Sequence, residues 1–461
     1  MRQSIRQSAR SVRTRVAGVI IAACAVVAPA RQAAAEVTLV NAKGWELFSD
    51  GRLGGFVNYT RGDAFPLTQV DPTTGNAIQV PFGGGITSNT DTNSIADPAN
   101  PTEQRRLESM RVRSGFLGNI FGFGGRTALT PWTKVSGYLQ FWANIESNGE
   151  RKYVPMPVDV RQGYARIDGL WGSVTVGRQL TLFSRGAAEI DFLYGHGYGV
   201  GWPAAGVQSG TAAGHVGTGV LGPGFASGVI YFSPVLSGLQ VNVGLFDPVS
   251  LQGAWDRTKL LRPESEITYD RAIGAKARLH LFVNGGYQKV YRINEPDSTS
   301  SSAYGVGYGV RAELAGFHLG LAGHYGQGLG LSYALETTEA AYDSSPLHRL
   351  RKSDGYYAQA QYALTKFDFN AGVGISRVTP LGAETQVING VPVMIPADGE
   401  RSATGTRQSL IKYQLGISAA VVYHVNQTLH LDVDYFRASF RWQFGEKEDV
   451  NFVSAGMTLT W

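Results

Sequence analysis

Gly172-Ser-Val-Thr-Val-Gly-Arg-Gln-Leu180 and Gly228-Val-Ile-Tyr-Phe-Ser-Pro-Val-Leu236 stand on either side of a long loop, residues 181–228, and the second run is followed at once by Ser237-Gly238 and Leu239-Gln-Val-Asn-Val-Gly-Leu-Phe246. The three runs are short and rich in β-branched and aromatic residues, which marks strands. Ser237-Gly238 is a two-residue hairpin turn. The loop is rich in Gly and Ala, has no helical period and carries almost no charge. A loop of that length without secondary structure is uncommon in a compact domain unless it is functional or disordered. Short strands around it predict a β-barrel whose lumen the loop fills.

The same rhythm recurs through the chain. In residues 134–146, Val135, Gly137, Leu139, Phe141, Ala143 and Ile145 fall on one side, and Lys134, Ser136, Tyr138, Gln140, Trp142, Asn144 and Glu146 on the other. Residues 428–441 repeat it, with Leu429, Leu431, Val433 and Tyr435 alternating with His430, Asp432, Asp434 and Phe436. Side chains alternate across a strand, so one face meets an apolar medium and the other meets water.

The connections sort into two kinds. Short ones are expected around residues 122–126, 169–172, 237–238, 279–280, 315–316, 364–366 and 424–427. Longer, more polar ones are expected at about 61–105, 147–158, 181–228, 248–266, 293–302, 327–353, 378–408 and 442–449. Short and long alternate, so together they join sixteen strands. The fold class is therefore all-β: a transmembrane antiparallel β-barrel of about sixteen strands, with short periplasmic turns and longer outside loops. A tilted strand needs only about 9–11 residues to cross a bilayer, and closure satisfies every backbone group. Trp45, Tyr59, Trp132, Trp171, Tyr231, Trp442 and Trp461 lie near strand ends, where aromatic girdles belong. The final strand, Asn451-Phe-Val-Ser-Ala-Gly-Met-Thr-Leu-Thr-Trp461, ends on an aromatic residue.

Residues 1–35 read as a signal peptide. Arg2, Arg6, Arg10, Arg13 and Arg15 form a basic start, residues 16–30 an apolar core, and Ala33-Ala34-Ala35 a small-residue cleavage site. Ile21-Ala-Ala-Cys24 also has the form of a lipoprotein box. Cleavage after Ala35 removes six of the 41 Lys+Arg and none of the 36 Asp+Glu, taking the net charge from +5 to −1. The basic balance thus belongs to the leader, and nucleic-acid binding loses its main support. The single cysteine goes too, so disulfides do not hold the mature domain, residues 36–461. No later window offers 18 consecutive apolar residues, the mark of a spanning helix.

At this point the chain resembles the trimeric general porins of Gram-negative bacteria. Trp171-Gly-Ser-Val-Thr-Val-Gly-Arg-Gln179 is similar to the strand before that family's constriction loop. The run from Gly228 to Gly244 is similar to the hairpin after it, and Arg113-Ser-Gly-Phe-Leu-Gly118 to the arginine-bearing segment of the second strand. The resemblance implies a homotrimer in the outer membrane, bounded by lipid and lipopolysaccharide. It also implies passive diffusion of small hydrophilic solutes, and assembly machinery that recognises the last strand through Trp461. In the family the third outside loop carries acids that face basic residues on the wall. Here Glu189 and Asp191 are the only acids of that loop, and Arg113 and Arg178 match the basic wall. Gly195-His-Gly-Tyr-Gly-Val-Gly-Trp-Pro203 stands where the family has an acidic Pro-Glu-Phe-Gly segment.

A charged waist needs opposite charges across a narrow gap. Arg52, Arg111, Arg113, Lys134, Arg161, Arg166 and Arg178 are the wall candidates, because an arginine facing lipid at mid-depth costs about 2–4 kcal/mol. Rim arginines that bind headgroups are the bland alternative. Arg178 shares parity with Val174 and Val176, so it needs a bulge after Gly177 to turn inward; otherwise it lies above the membrane. Tyr194, Tyr198 and Trp202 could stack on a sugar, but such residues more often anchor a loop. His196 and His215 lack neighbours at metal-ligand spacing. The glycine runs at 195–201 and 305–309 miss the dinucleotide spacing, and neither a nucleophile elbow nor a P-loop occurs. The chain reads as a channel without cofactor or metal rather than an enzyme. Its alternatives are a substrate-selective channel, suggested by the glycine-rich loop, and a plugged structural or adhesive barrel.

Overall fold

The computed structural model describes residues 36–461 except 64, 67–68, 71–72, 74–76, 83–84, 86–92, 96–105, 116, 144–157, 194–213, 250–258, 275, 292–299, 333, 336–340, 343–348, 389–390 and 400–406. Sixteen antiparallel staves close into a barrel. They are β1 (Trp45–Asp63), β2 (Arg106–Arg113 continued by Asn119–Thr130), β3 (Thr133–Ala143), β4 (Val158–Gly169), β5 (Gly172–Leu180), β6 (Phe225–Phe232), β7 (Leu239–Phe246) and β8 (Arg262–Ile273). β9 (Ala277–Tyr291), β10 (Ser300–Leu314), β11 (Phe317–Gln327), β12 (Lys352–Ala363), β13 (Phe367–Val378), β14 (Arg407–His424), β15 (Leu429–Trp442) and β16 (Lys447–Thr460) complete the ring.

Each stave pairs with its neighbours in sequence, and β1 closes on β16 from Arg52↔Thr460 to Gly62↔Val450. Trp461 seals the seam. Its backbone exchanges hydrogen bonds with Gly51, and its ring lies 5.5 Å from that of Phe121. A Cβ on Gly51 would stand 2.5 Å from the indole, so only glycine lets the ring lie down there.

The alternation read from the sequence is the alternation of the wall. On β8, Arg262, Glu264 and Glu266 are buried inside, while Pro263, Ser265 and Ile267 face out. Val57, Val229, Val241, Val243, Leu245, Val283, Val433 and Met457 are each 37–57% exposed on the outer face. So much contiguous apolar surface is stable only against lipid. Aromatic belts flank it. Trp132, Trp171, Phe317, Tyr362 and Phe367 are exposed near the short turns, and Tyr287, Tyr304, Tyr325 and Tyr356 towards the long loops. Trp442 departs from the expected girdle: it is buried inside the barrel, edge-on to Phe65.

Two expected turns are displaced. Residues 122–126 lie within β2, and the chain reverses at residues 131–132 instead. The glycines there are a packing device, because a Cβ on Gly122 would collide with Asp50 and Tyr138 inside the barrel. Leu279 and His280 lie within β9, which starts at Ala277; the preceding strand ends at Ile273 and Gly274 after it has φ +65°. The segment 114–118, matched to an arginine-bearing strand, interrupts β2 between its two halves. The expected loop 442–449 shrinks to residues 443–446, and residues 262–266 belong to β8.

Candidate pore constriction

The long loop runs over residues 181–224, since residues 225–228 already belong to β6. It is not without structure: Arg185–Ile190 forms a single short helix, α1. α1 lies against the inner faces of β9, β10 and β11. Its wall-side residues Gly186, Ala187 and Ala188 are small and buried, which brings the backbone close to Phe282.

Both described limbs of the loop are bonded to inward-facing wall residues. On the first limb, Phe183 N–H donates to Glu264 Oε2 (2.7 Å) and Phe192 N–H to Gln359 Oε1 (2.8 Å). Tyr357 O–H donates to the Ala187 carbonyl (2.8 Å). On the second limb, Gly219 N–H donates to Ser376 Oγ (2.8 Å), and Gln414 Nε2 donates to the Gly217 carbonyl (2.9 Å). His215 is wholly buried between Gln359, 2.7 Å from its Nδ1, and Ser418, 3.1 Å from its Nε2.

The wall makes room for this by omitting side chains. Gly372 and Gly416 face inward on β13 and β14. A Cβ would stand 2.6 Å from the His215 ring at the first, and 2.5 Å from Thr218 Oγ1 at the second. The alternating glycines at 305, 307 and 309, which fail as a nucleotide motif, also point inward on β10. There a Cβ would meet Phe183, Asn284 or Phe282.

Asp191 joins the two limbs. Its carboxylate accepts from Leu193 N–H (2.9 Å) and from His215 N–H (2.7 Å), and stands 3.4 Å from His215 Nδ1. Burial opposes its ionisation, but the His215 imidazole and the backbone donors outweigh that and hold the carboxyl below its usual range. The expectation that Asp191 faces the pore is thereby corrected: it is 1% exposed, and its oxygens are committed to backbone N–H groups. Glu189 does face open space. Its side chain is 53% exposed and lies 3.5 Å from Arg185, which in turn pairs with the buried Glu266.

A second loop, residues 328–351, joins the first inside the barrel. Gly222 N–H donates to the Ser332 carbonyl (2.7 Å) and Ala334 N–H to the Gly222 carbonyl (3.0 Å). Leu329 and Leu335 pack with Phe183, Leu221, Val290 and Ala303 in one buried apolar cluster. A separate cluster gathers Leu331 and Leu410 over Phe436, Phe440, Trp442 and Phe452, all on inward positions of β15 and β16. Apolar packing inside a barrel marks where the lumen is filled by protein rather than by water.

The other arc of the wall stays polar. Tyr138 O–H donates to Asp50 (2.6 Å), and Arg166 Nε to Asp168 (2.8 Å). Arg161 pairs with Asp159 (2.7 Å) and lies 4.9 Å from the Trp142 ring. Arg52 is buried on the inner face, with its Nη2 3.5 Å from Thr458 Oγ1. Arg111 takes the inward register opposite Asn58, and Arg113 that opposite Phe56; the Arg113 side chain lies outside the described residues. Lys134 is inward and exposed, one residue from the start of β3, so it stands at the short-turn rim. Arg178 does not belong to this arc. The pairings of β5 with β4 and β6 run without a bulge, opposing Arg178 to Gly163 and Ser227 on the outer face. Tyr194, His196, Tyr198 and Trp202 lie outside the described residues. No group of three or more metal-ligating side chains occurs among the described residues.

A family model described as Gram-negative porin matches residues 21–391. The chain belongs to that family. This outer-membrane porin is similar in fold to the outer-membrane channel DcaP of Acinetobacter baumannii, with TM-score 0.62 and 12% identity, covering 92% of this chain and 100% of that one. It is also similar to the anion-selective porin from Comamonas acidovorans, with TM-score 0.53, 11% identity and coverage of 90% and 100%. Salmonella typhi OmpF in complex with daunomycin aligns with TM-score 0.50 and 12% identity, over 92% of this chain and 99% of that one. No curated protein sequence matches it. Family and fold are those of a channel, not an enzyme.

Proposed function

We propose that this porin lets small hydrophilic solutes and ions diffuse passively through the polar arc of its lumen, with residues 181–224 as the constriction. In this reading residues 1–35 are removed on export, and the mature chain assembles as a homotrimer among lipid and lipopolysaccharide. The short turns lie on the periplasmic side, and Trp461 serves assembly. The carrying observation is that both described limbs of the loop bond to inward residues of β8 to β14, while Arg52, Arg111, Arg161 and Arg166 line the facing arc. Glu189 is the acid of the waist, opposed to those arginines.

A second reading, a channel selective for one solute class, is favoured by the apolar filling around Leu329 and Leu335. A lumen filled on one side leaves a narrower path than an open one. Single-channel recording in planar bilayers separates the readings. Stepwise ohmic conductance is expected of passive diffusion, and block by a single solute class of selectivity; silence would defeat both. Asp191 holds Leu193 and His215 close together, so residues 194–213 can be replaced by a short linker without releasing the limbs. That variant is expected to conduct more, and unchanged conductance would remove the loop from the constriction.

A further inference from the structure

At the short-turn end of the lumen, three side chains that the pore reading does not use meet on adjacent staves. His424 ends β14 and His430 lies at the start of β15; the two are register partners and both face inward. Their Nδ1 atoms are 2.8 Å apart, with the rings edge to face. On the far side of His424, Nε2 lies 2.9 Å from Asp368 Oδ2 at the start of β13. Asp368 is 4% exposed, and its other oxygen is buried without a hydrogen bond among the described residues.

The protonation follows from these contacts. A carboxylate only accepts, so the His424 ring donates its Nε2–H to Asp368 and turns an Nδ1 lone pair towards His430. This is the carboxylate–histidine–metal arrangement, in which the outer carboxylate fixes the tautomer and makes the free nitrogen more basic. His430 answers with its Nδ1–H, and moving that proton to Nε2 turns a second lone pair to the same point. Both rings are half-buried rather than sealed, so an ion in the lumen can reach them.

We propose that His424 Nδ1 and His430 Nδ1 bind one divalent transition-metal cation of the zinc, copper or nickel class, with Asp368 orienting His424 and water completing the shell. Imidazole suits these ions, whereas calcium and magnesium demand oxygen ligands. Two nitrogens each about 2.0–2.1 Å from zinc stand roughly 3.3 Å apart at a tetrahedral angle, so a small parting of the two rings admits the ion. The opposing charge is Arg52, which faces His430 from β1 and is held towards Thr458; the Asp368 carboxylate offsets it. Lys366 turns its ammonium outward, over the Tyr423 ring.

The test is titration of the full detergent-solubilised chain with zinc chloride at pH 7.5, read by calorimetry. One saturable site per chain is expected. Affinity should fall at least tenfold in His424→Ala and in His430→Ala, and 10- to 100-fold in Asp368→Asn. Saturable binding that survives in the His424→Ala/His430→Ala double variant, or no binding to the wild type, overturns the proposal and leaves the pair an ordinary hydrogen bond. A readout that needs no variant is electron paramagnetic resonance of the wild type with one equivalent of cupric ion. Splitting from two imidazole nitrogens is expected, and a spectrum without nitrogen splitting overturns the assignment.

Discussion

The inner wall of this barrel is two surfaces. From β12 to β14 it is a floor of small and uncharged groups, Gly372, Gly416, Gln359, Ser376, Ser418 and Gln414, on which the loop rests; on β8 the buried charges Arg262, Glu264 and Glu266 are paired with one another, with Arg185 or with the loop backbone. From β1 to β5 it carries Asp50, Asp159, Arg161, Arg166 and Asp168, paired with one another or with aromatic groups. One arc is shaped to be covered by protein and the other to meet water. A buried charge costs several kcal/mol unless it is paired, so a chain that folds its own loop onto its wall must strip that wall of charge or pair what remains, as Glu264 is paired with Arg262 and Glu266 with Arg185. A water-facing wall has no such constraint.

The contrast can be attacked from the covered side first. Asp191→Ala removes the acceptor for two buried backbone N–H groups and is expected to lower stability by about 3 kcal/mol and to make single-channel current noisier. Thermal melting in detergent and bilayer recording check both. Gly372→Leu puts a side chain where His215 sits. A loss of about 1–3 kcal/mol is expected from overpacking, with conductance altered because the loop is lifted off its floor; an unchanged melting temperature would show that the floor tolerates bulk.

The pH response follows from Asp191. Its carboxyl is depressed in the folded state, so its contribution is fully present above the unfolded value of about 3.9. That contribution is lost as pH falls through the lower folded value. The stability gap between wild type and Asp191→Asn should therefore be constant at neutral pH and narrow only in strong acid. The smallest structural effect is expected on the open side. Arg161→Gln should cost less than about 1 kcal/mol, since the arginine and its partner are half-exposed. The reversal potential in a salt gradient should nevertheless move towards cations.

Much of the barrel was legible in the sequence because lipid and water impose a two-residue period that few residues can hide. Val135 to Ala143 and Leu429 to Tyr435 face out as that period requires. The two misplaced turns share a cause. Glycine marks a turn only when the backbone needs a positive φ, as at Gly274, and Gly122 serves close packing instead. Trp442 escapes the girdle because an aromatic residue at a strand end suits an interface or an interior cluster equally well.

The candidate waist was less legible. Glu189 and Asp191 are two residues apart and chemically alike, yet one faces open space and the other is buried, because α1 ends between them. Arg178 was settled by the absence of a bulge, which no single strand reveals. The sequence signal for the covered wall is the glycine alternation at 305–309 and at 372–374. An inward row without side chains announces a guest inside the barrel.

The seam at Gly51 and Trp461 has a consequence for the order in which the molecule is built. Neighbouring hairpins can zip as soon as both arms exist, but β1 must wait for a partner some four hundred positions away. Long-range pairing is slow because the intervening chain resists closure. Until that moment the sheet has two bare rims, each able to capture a stranger. The indole that beds against a glycine at the final rung acts as a latch, fixing which rung of the last stave meets which rung of the first.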